Sequence, residues 1–288
     1  MRQIFSELEK QEEFRVFRQD PPSSHRWDVT TRNLARFAEI ERQRLDGNAF
    51  QPIAVELGFT PDVDASAAER ARQGLLQGAP TGRIVLPALE IALEPEMDAP
   101  GAARWAIRVR GRIDRLDLHR PEGETTGPPL GLVIDYKRRA PKGSLRTLLR
   151  RGGDLQVATY LLVLRDVLGI PPAGGVYYSV SPRPHGPDEA VPPTNRLQFM
   201  MRGFVTAAAR DAVDREKAFE LKADVPGDDL NAVLDEAREK IRSLAAGIVR
   251  GEIRPDPRAT HGRSPCGLCD HRGVCRFDDR RLASGGAR

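Results

Sequence analysis

Several features that define other protein classes are scarce or missing in this 288-residue chain. It has only three cysteines, all within residues 266–275, which excludes a disulfide framework. Its apolar stretches are short and soon interrupted by charge, so none is long enough to span a bilayer. The first residues, MRQIFSELEKQEEF, contain acids and no apolar segment, so we expect no secretory signal. These absences predict a globular, cytoplasmic protein with no membrane partner.

Two familiar kinds of catalytic motif are also missing. The sequence contains no glycine-rich loop for cradling phosphates and no serine-centred nucleophile motif. Lysine is scarce as well, because only six of the 45 basic residues are lysines. A lysine inside an arginine-rich stretch is therefore poorly explained by a general need for positive charge.

Positive charge is concentrated in one stretch of the chain. Residues 137–152 contain seven basic residues and no acidic one. Such a stretch is typical either of a solvated helix start or of a surface that contacts a polyanion. The basic residues are Lys137, Arg138, Arg139, Lys142, Arg146, Arg150 and Arg151.

The spacing of apolar residues predicts an α/β fold with a mixed sheet and a crossover helix. We expect helices in residues 1–50, divided at Pro21 and Pro22, and an exposed connection over residues 60–82. Strands are predicted at 53–59, 84–93, 105–118, 130–136 and 176–180. Helices are predicted at 155–168, 197–221 and 230–249.

The candidate catalytic residues lie in two strand segments, GRIDRLD (111–117) and VIDYKRR (133–139). Alternate residues of a strand share a face, so Asp135 and Lys137 are expected to project together. If Asp114 meets them from a neighbouring strand, two carboxylates and one ammonium group converge. Metal-assisted phosphodiester hydrolysis requires such a set, because hard oxygen ligands bind Mg²⁺ and a lysine offsets charge on the phosphate.

The same residues could instead have a purely structural role. Asp114 could simply pair with Arg112 or Arg115, and Asp135 with Lys137 could be an ordinary strand end. Against this, Asp135 follows an apolar strand, where an unpaired carboxylate is costly. About twenty residues later, Gln156 and Tyr160 lie four apart, on one face of the predicted helix. They could point back towards the aspartate–lysine pair.

Together, GRIDRLD, VIDYKRR and LQVATY (155–160) resemble the three motifs of PD-(D/E)XK nucleases of the RecB/AddB C-terminal type. CRISPR-associated RecB-like exonucleases are similar. The resemblance implies an αβββαβ core with a mixed central sheet and flanking helices. It also implies that Asp114 and Asp135 bind Mg²⁺ or Mn²⁺, that Lys137 is the catalytic lysine, and that Gln156 and Tyr160 form the helix motif. Glu56, in the upstream VELGF segment, is expected to be structural.

Under this resemblance the whole chain, residues 1–288, is one nuclease-like domain. Residues 1–82 are expected to supply N-terminal helices and a connection, and residues 83–182 the catalytic core. Residues 183–254 are expected to be helical, and residues 255–288 to form a cysteine-bearing tail.

The tail places Cys266, Cys269 and Cys275 in a C-x2-C-x5-C array, which is typical of a soft-metal or cluster site. In the resembled nucleases, a similar triplet joins an upstream cysteine around a [4Fe–4S] cluster. This chain has no cysteine in residues 1–265 and no evident histidine-bearing helix near the site, so it departs from that pattern. The chain could begin downstream of a missing helix, or His261 or His271 could be the fourth ligand, or the cluster could be lost. Zn²⁺ is also acceptable to three cysteines and a histidine.

The resemblance implies a metal-dependent DNA nuclease, with exonuclease action expected. It is expected to act in recombination and double-strand-break repair beside a helicase that this chain, lacking a Walker motif, does not supply. The basic residues named above, from Arg138 to Arg151, are the expected contacts with DNA phosphates. The alternative is a non-catalytic DNA-binding or scaffolding module with the same fold.

Overall fold

The structure is a computed structural model. It describes residues 2–46, 48–77, 84–93, 105–121, 127–138, 155–182, 199, 201–213, 230–252, 266 and 269–275. Within these ranges, no helix is long and apolar enough to cross a membrane.

The N-terminal region is helical, as the sequence predicts. Helix α1 (Arg2–Lys10) and a 3₁₀ helix (Glu12–Arg18) precede the long helix α2 (Pro21–Leu45). Helix α2 begins where Asp20 accepts a hydrogen bond from the Ser23 amide at 2.8 Å, with prolines in the first turn. Local sequence signals therefore fix the start of the helix that later packs beneath the sheet.

A mixed six-stranded sheet forms the centre of the fold. Its strands are β1 (Gln51–Thr60), β2 (Val85–Pro87), β5 (Gly111–His119), β6 (Leu130–Lys137), β7 (Pro172–Ser179) and β8 (Met201–Val205). Their order across the sheet is β2-β1-β5-β6-β7-β8. Strand β5 runs antiparallel to both of its neighbours, β1 and β6, whereas β7 is parallel to β6. The remaining strands, β3 (Leu89–Ala92) and β4 (Ala106–Val109), form a separate pair.

Helix α4 (Gln156–Leu162) lies in the chain between β6 and β7, and a parallel strand pair requires such a crossover. It continues as a π-helical turn (Val163–Leu168) and ends at Gly169, whose φ is 65°. The helix packs very closely on β7, because a Cβ on Gly175 would lie 2.4 Å from Val157 Cγ1. The order α2-β1-β5-β6-α4-β7 confirms the αβββαβ core.

The two faces of the sheet are covered by different elements. One face packs against α4, α3 (Ala65–Leu76) and α6 (Leu230–Val249), and Val133, Leu161 and Leu234 lie in that core. The other face packs against α2 and α5 (Ala207–Val213), and Phe37 and Ile134 lie there. We refer to these as the α4 face and the α2 face.

Four predictions about individual elements need correction. Residues 60–82, predicted to be a connection, contain α3, which begins where Asp64 accepts a hydrogen bond from the Ala67 amide and which buries Leu75. The predicted strands at 84–93 and 105–118 are each divided between two sheets. The helix predicted over 197–221 is wrong at its start, where β8 pairs with the edge of β7. Its short apolar run fits either structure, and tertiary pairing decides between them.

Candidate active site

Strands β5 and β6 bring the two candidate metal-binding aspartates to adjacent strands of the sheet. The antiparallel register pairs Leu116 with Val133 and ends with Arg115 opposite Ile134. Beyond that pair, the Asp114 carboxylate still reaches β6, because its Oδ2 accepts a hydrogen bond from the Tyr136 amide. Asp135 is two residues from Val133, so it lies on the α4 face.

Lys137 joins Asp135 on this face, as the alternation of strand residues predicts. Its Nζ lies 2.7 Å from Asp135 Oδ2. The Asp135 side chain is completely buried, whereas that of Lys137 is 32% exposed. A buried carboxylate is thus compensated by a cation that still reaches solvent, at the end of a strand.

Helix α4 supplies the next two predicted residues. Lys137 Nζ donates a hydrogen bond to Gln156 Oε1 at 2.7 Å, and Gln156 Nε2 donates to Tyr160 Oη at 2.8 Å. The one-turn spacing of Gln156 and Tyr160 puts both on the side of α4 that meets the strand end. A salt bridge and two hydrogen bonds therefore connect the side chains of Asp135, Lys137, Gln156 and Tyr160 in that order.

Asp114 is not paired with either arginine that the structural interpretation would give it. Its Oδ2 accepts a hydrogen bond from the Tyr136 backbone amide at 2.9 Å. Arg112 instead pairs with Glu56 at 2.8 Å, with both side chains exposed, and Arg115 turns to the opposite face of the sheet. Asp114 is consequently held by the backbone of the strand that carries Asp135 and Lys137.

Behind the site, on the α2 face, lies a group of charged side chains that sequence reasoning misses. We call Glu41, Arg44, Arg115 and Asp117 the buried ion cluster. Arg115 forms a bidentate salt bridge with Asp117, with both N–O distances 2.5 Å. Arg115 also forms a salt bridge with Glu41. Arg44 binds Glu41 at 2.7 Å. The alternation within GRIDRLD is an available signal, because it puts Arg115 and Asp117 on the face opposite Asp114.

The ionisation of the buried ion cluster reflects competition between burial and pairing. Burial raises the pKa of Asp117 despite its bonds to Arg115. For Glu41, burial also acts to raise the pKa, but hydrogen bonds and the charges of Arg44 and Arg115 outweigh it and lower the pKa. The cluster contains two carboxylates and two guanidinium groups, so it is neutral when all four are ionised.

Of the predicted DNA-contacting residues, the structure describes one. Arg138 is exposed at the end of β6, immediately after Lys137. The other five, Arg139, Lys142, Arg146, Arg150 and Arg151, lie outside the described residues.

The cysteine tail is described only in part. Cys266 is half-buried, and Cys269 and Cys275 are exposed. The Cys275 amide donates to the His271 carbonyl at 2.9 Å in the short helix α7 (Arg272–Cys275). Among the described residues, no three His, Cys, Asp or Glu side chains gather as a metal-binding group. The described part of the tail therefore does not by itself fit a [4Fe–4S] cluster or a closed zinc site.

The site that contains Asp114 and Asp135 suits a different kind of metal from the soft metals that cysteines bind. It offers two carboxylates, Asp114 from β5 and Asp135 from β6, and a partly exposed lysine beside them. Mg²⁺ commonly binds through one or two carboxylates and completes its shell with water and substrate phosphate. The hard oxygen donors of Asp114 and Asp135 suit such an ion.

Comparisons with known proteins identify relatives of this chain. Three relatives are each named as a subunit of an ATP-dependent helicase/deoxyribonuclease. The one from Natranaerobius thermophilus is 26% identical over 276 residues, covering 85% of this chain and 20% of that protein. The one from Lysinibacillus sphaericus is 25% identical, covering 89% and 22%. The one from Desulforudis audaxviator is 30% identical, covering 66% and 19%.

The chain thus spans about a fifth of the length of these relatives. A family profile described as the PD-(D/E)XK nuclease superfamily matches residues 1–276. The matched region includes both strands and the helix that form the candidate site. The chain belongs to the PD-(D/E)XK nuclease superfamily.

Proposed function

We propose that this chain is a metal-dependent nuclease domain that hydrolyses phosphodiester bonds of DNA, with exonuclease action expected. One observation carries the proposal. Asp114 is bound to the Tyr136 amide, next to Asp135 in the adjacent strand, and Lys137 lies 2.7 Å from Asp135 at a strand end that solvent can reach. Family membership supports the same reaction.

In the proposed mechanism, Asp114 and Asp135 would hold Mg²⁺ or Mn²⁺. When bound, the ion supplies Lewis-acid polarisation of the scissile phosphate. Lys137 presents its ammonium group beside the phosphate and stabilises the negative charge that grows in the transition state. Asp135 and Gln156 fix the direction of that ammonium group, and Tyr160 fixes the Gln156 amide.

DNA would be held mainly through its phosphates. Arg138 follows Lys137 directly and is exposed, so it is positioned to contact a phosphate next to the cleaved one. The remaining residues of the basic stretch, from Arg139 to Arg151, are proposed as further contacts. Phosphate contacts of this type are independent of base sequence and weaken steeply with salt.

The names of the relatives suggest the biological setting. Each is described as a subunit of an ATP-dependent helicase/deoxyribonuclease, and each is about five times longer than the region it shares with this chain. We propose that the domain acts on DNA in the cytoplasm, in repair and recombination, beside a helicase that opens the duplex.

The test is digestion of end-labelled linear DNA by the purified protein, with and without Mg²⁺. We expect digestion only with the ion, and its loss in Asp135→Asn and in Lys137→Ala. Asp62→Ala and Lys10→Ala are matched controls, because they remove an exposed carboxylate and an exposed lysine outside the site. Equal digestion by all five proteins would reject the assignment.

The same experiment separates the alternative function. A non-catalytic DNA-binding or scaffolding module would retain labelled DNA in a gel-shift assay but would not shorten it at any Mg²⁺ concentration. If the wild type bound DNA without cleaving it and Arg138→Ala no longer bound it, the non-catalytic module would be favoured.

Cluster or zinc binding by Cys266, Cys269 and Cys275 stays a prediction. Anaerobically prepared protein that absorbs visible light and contains iron would support a [4Fe–4S] cluster. A colourless protein containing one zinc would support the zinc alternative, and protein with neither metal would reject both.

A further inference from the structure

We propose that Tyr136 is a positioning residue that couples the buried ion cluster to the two metal-binding aspartates. This inference rests on the proposed function, because it concerns the same metal site. It assigns a role to a residue outside the proposed metal ligands and DNA contacts. The contacts of Tyr136 on both faces of the sheet support it.

Tyr136 lies between Asp135 and Lys137 in β6, so its side chain projects to the opposite face. Its backbone amide donates to Asp114 Oδ2 at 2.9 Å. One residue therefore supplies the peptide unit between two candidate active-site groups and the hydrogen bond that holds the third. A displacement of the Tyr136 amide would move the Asp114 carboxylate relative to Asp135.

The side chain of Tyr136 is fixed at its polar end by the buried ion cluster. Arg115 Nη1 donates to Tyr136 Oη at 2.9 Å. Arg115 cannot readily follow a moving tyrosine, because Asp117 and Glu41 also bind its guanidinium group and its side chain is only 4% exposed. Leaving those partners would strand buried charges without compensation.

The ring of Tyr136 is fixed by aromatic contacts as well. It meets Phe37 of α2 edge-on, with centroids 5.8 Å apart, and stacks near Tyr178 of β7 at 6.1 Å. Helix α2, β5 and β7 thus all contact one tyrosine. A rigid layer of this kind would hold Asp114 and Asp135 in fixed relative positions.

The cluster acts through geometry and not through its charge. Its two carboxylates and two guanidinium groups cancel, so it adds little net field at the metal site. Removing only the Tyr136 hydroxyl should consequently loosen Asp114 without altering the charge near the ion.

The experiment compares Tyr136→Phe with Tyr178→Phe in the full chain, using Mn²⁺ as the probe and electron paramagnetic resonance to measure free ion. Both variants lose one tyrosine hydroxyl from the same aromatic layer beside the buried ion cluster, and the Tyr136 ring is partly buried whereas the Tyr178 ring is fully buried. Tyr178, however, lies in β7, which is not adjacent to β5, the strand that carries Asp114. We expect Tyr136→Phe to weaken Mn²⁺ binding about tenfold, as removal of a supporting partner typically does. Tyr178→Phe should bind Mn²⁺ as the wild type does.

Cleavage assays add a readout that lower stability alone would not change. In Tyr136→Phe, the Mg²⁺ concentration for half-maximal digestion should rise, whereas the rate at saturating Mg²⁺ should stay near that of the wild type. A protein that was merely less folded would lose rate at every Mg²⁺ concentration. Thermal unfolding of each variant shows whether it is folded at the assay temperature.

Wild-type affinity for Mn²⁺ in Tyr136→Phe would overturn the inference, and so would equal weakening in the two tyrosine variants. Asp135→Asn serves as the reference for the site itself. If the wild type bound no Mn²⁺, or if Asp135→Asn bound it equally well, the proposed function would fail and this inference with it. The two failures are therefore distinguishable.

Discussion

Asp117 and Asp135 are both completely buried aspartates on neighbouring strands, yet they face opposite sides of the sheet. On the α2 face, Asp117 is bound by Arg115 through two bonds and approached by Arg44, and all of these side chains are buried. On the α4 face, Asp135 has beside it a lysine that is one-third exposed. Burial alone does not distinguish the two aspartates, but the exposure of their cationic partners does.

This comparison predicts different consequences for the two aspartates, and the largest concerns activity. Asp135→Asn should lower the cleavage rate by about a thousandfold, because metal stabilisation of the transition state is worth several kcal/mol. The folded state should be as stable as the wild type, since the change removes a buried charge and Lys137 can turn to solvent. Single-turnover cleavage and urea unfolding measure the two effects. A variant that cleaved normally would make Asp135 structural.

The counterpart change should affect stability. Asp117→Ala leaves Arg115 and Arg44 to share Glu41 as their one carboxylate in the buried ion cluster, so a buried positive charge loses its compensation. The change should lower the free energy of unfolding by about 3–5 kcal/mol. Glu239→Ala is the control, because it breaks an exposed pair with Arg242 and should cost less than about 1 kcal/mol. Urea unfolding monitored by circular dichroism measures both. Equal small losses would show that the cluster does not support the fold.

The sequence predicts the α4 face far better than the α2 face, and the reason is distance along the chain. Asp114, Asp135 and Lys137 lie in two neighbouring strands, where a two-residue alternation suffices to put them on one face. Glu41 and Arg115 meet only in the folded protein, 74 residues apart, and on α2 Glu41 looks like an ordinary charged helix residue.

Other differences between sequence and structure have local causes. Helix α3 escapes prediction because its Ala- and Arg-rich sequence buries only Leu75, which leaves little apolar periodicity. Strand β8 is compatible with a helix in sequence, because the partner that makes it a strand, β7, lies outside its own segment. The core order αβββαβ is nevertheless predictable, since each of its strands carries a clear apolar run bounded by turn residues.

A smaller effect sharpens the description of the α4 face. Gln156→Ala removes the acceptor that orients Lys137 but leaves Asp135 in place, so it should lower the cleavage rate about tenfold to a hundredfold, within the range for supporting partners. Metal affinity should change little. Rate and Mn²⁺ titrations on one preparation separate the two quantities. A variant that lost Mn²⁺ binding would place Gln156 at the metal instead.

The smallest effect concerns alkaline pH and the α2 face. Burial, followed by the nearby charge of Glu41, raises the pKa of Tyr178 above its ordinary value. The unfolded chain therefore releases this proton at a lower pH than the folded protein, so stability is lost as pH rises above about 10. Urea unfolding between about pH 8 and 11 should show a shallower decline for Tyr178→Phe than for the wild type. Identical slopes would contradict the burial of this hydroxyl.

The most direct measurement of the central claim is anomalous diffraction from crystals of the protein soaked in Mn²⁺. We predict one strong peak bonded to carboxylate oxygens of both Asp114 and Asp135, and its absence from Asp135→Asn crystals. A peak that contacts only one aspartate, or an empty strand end in the presence of the ion, would contradict the account.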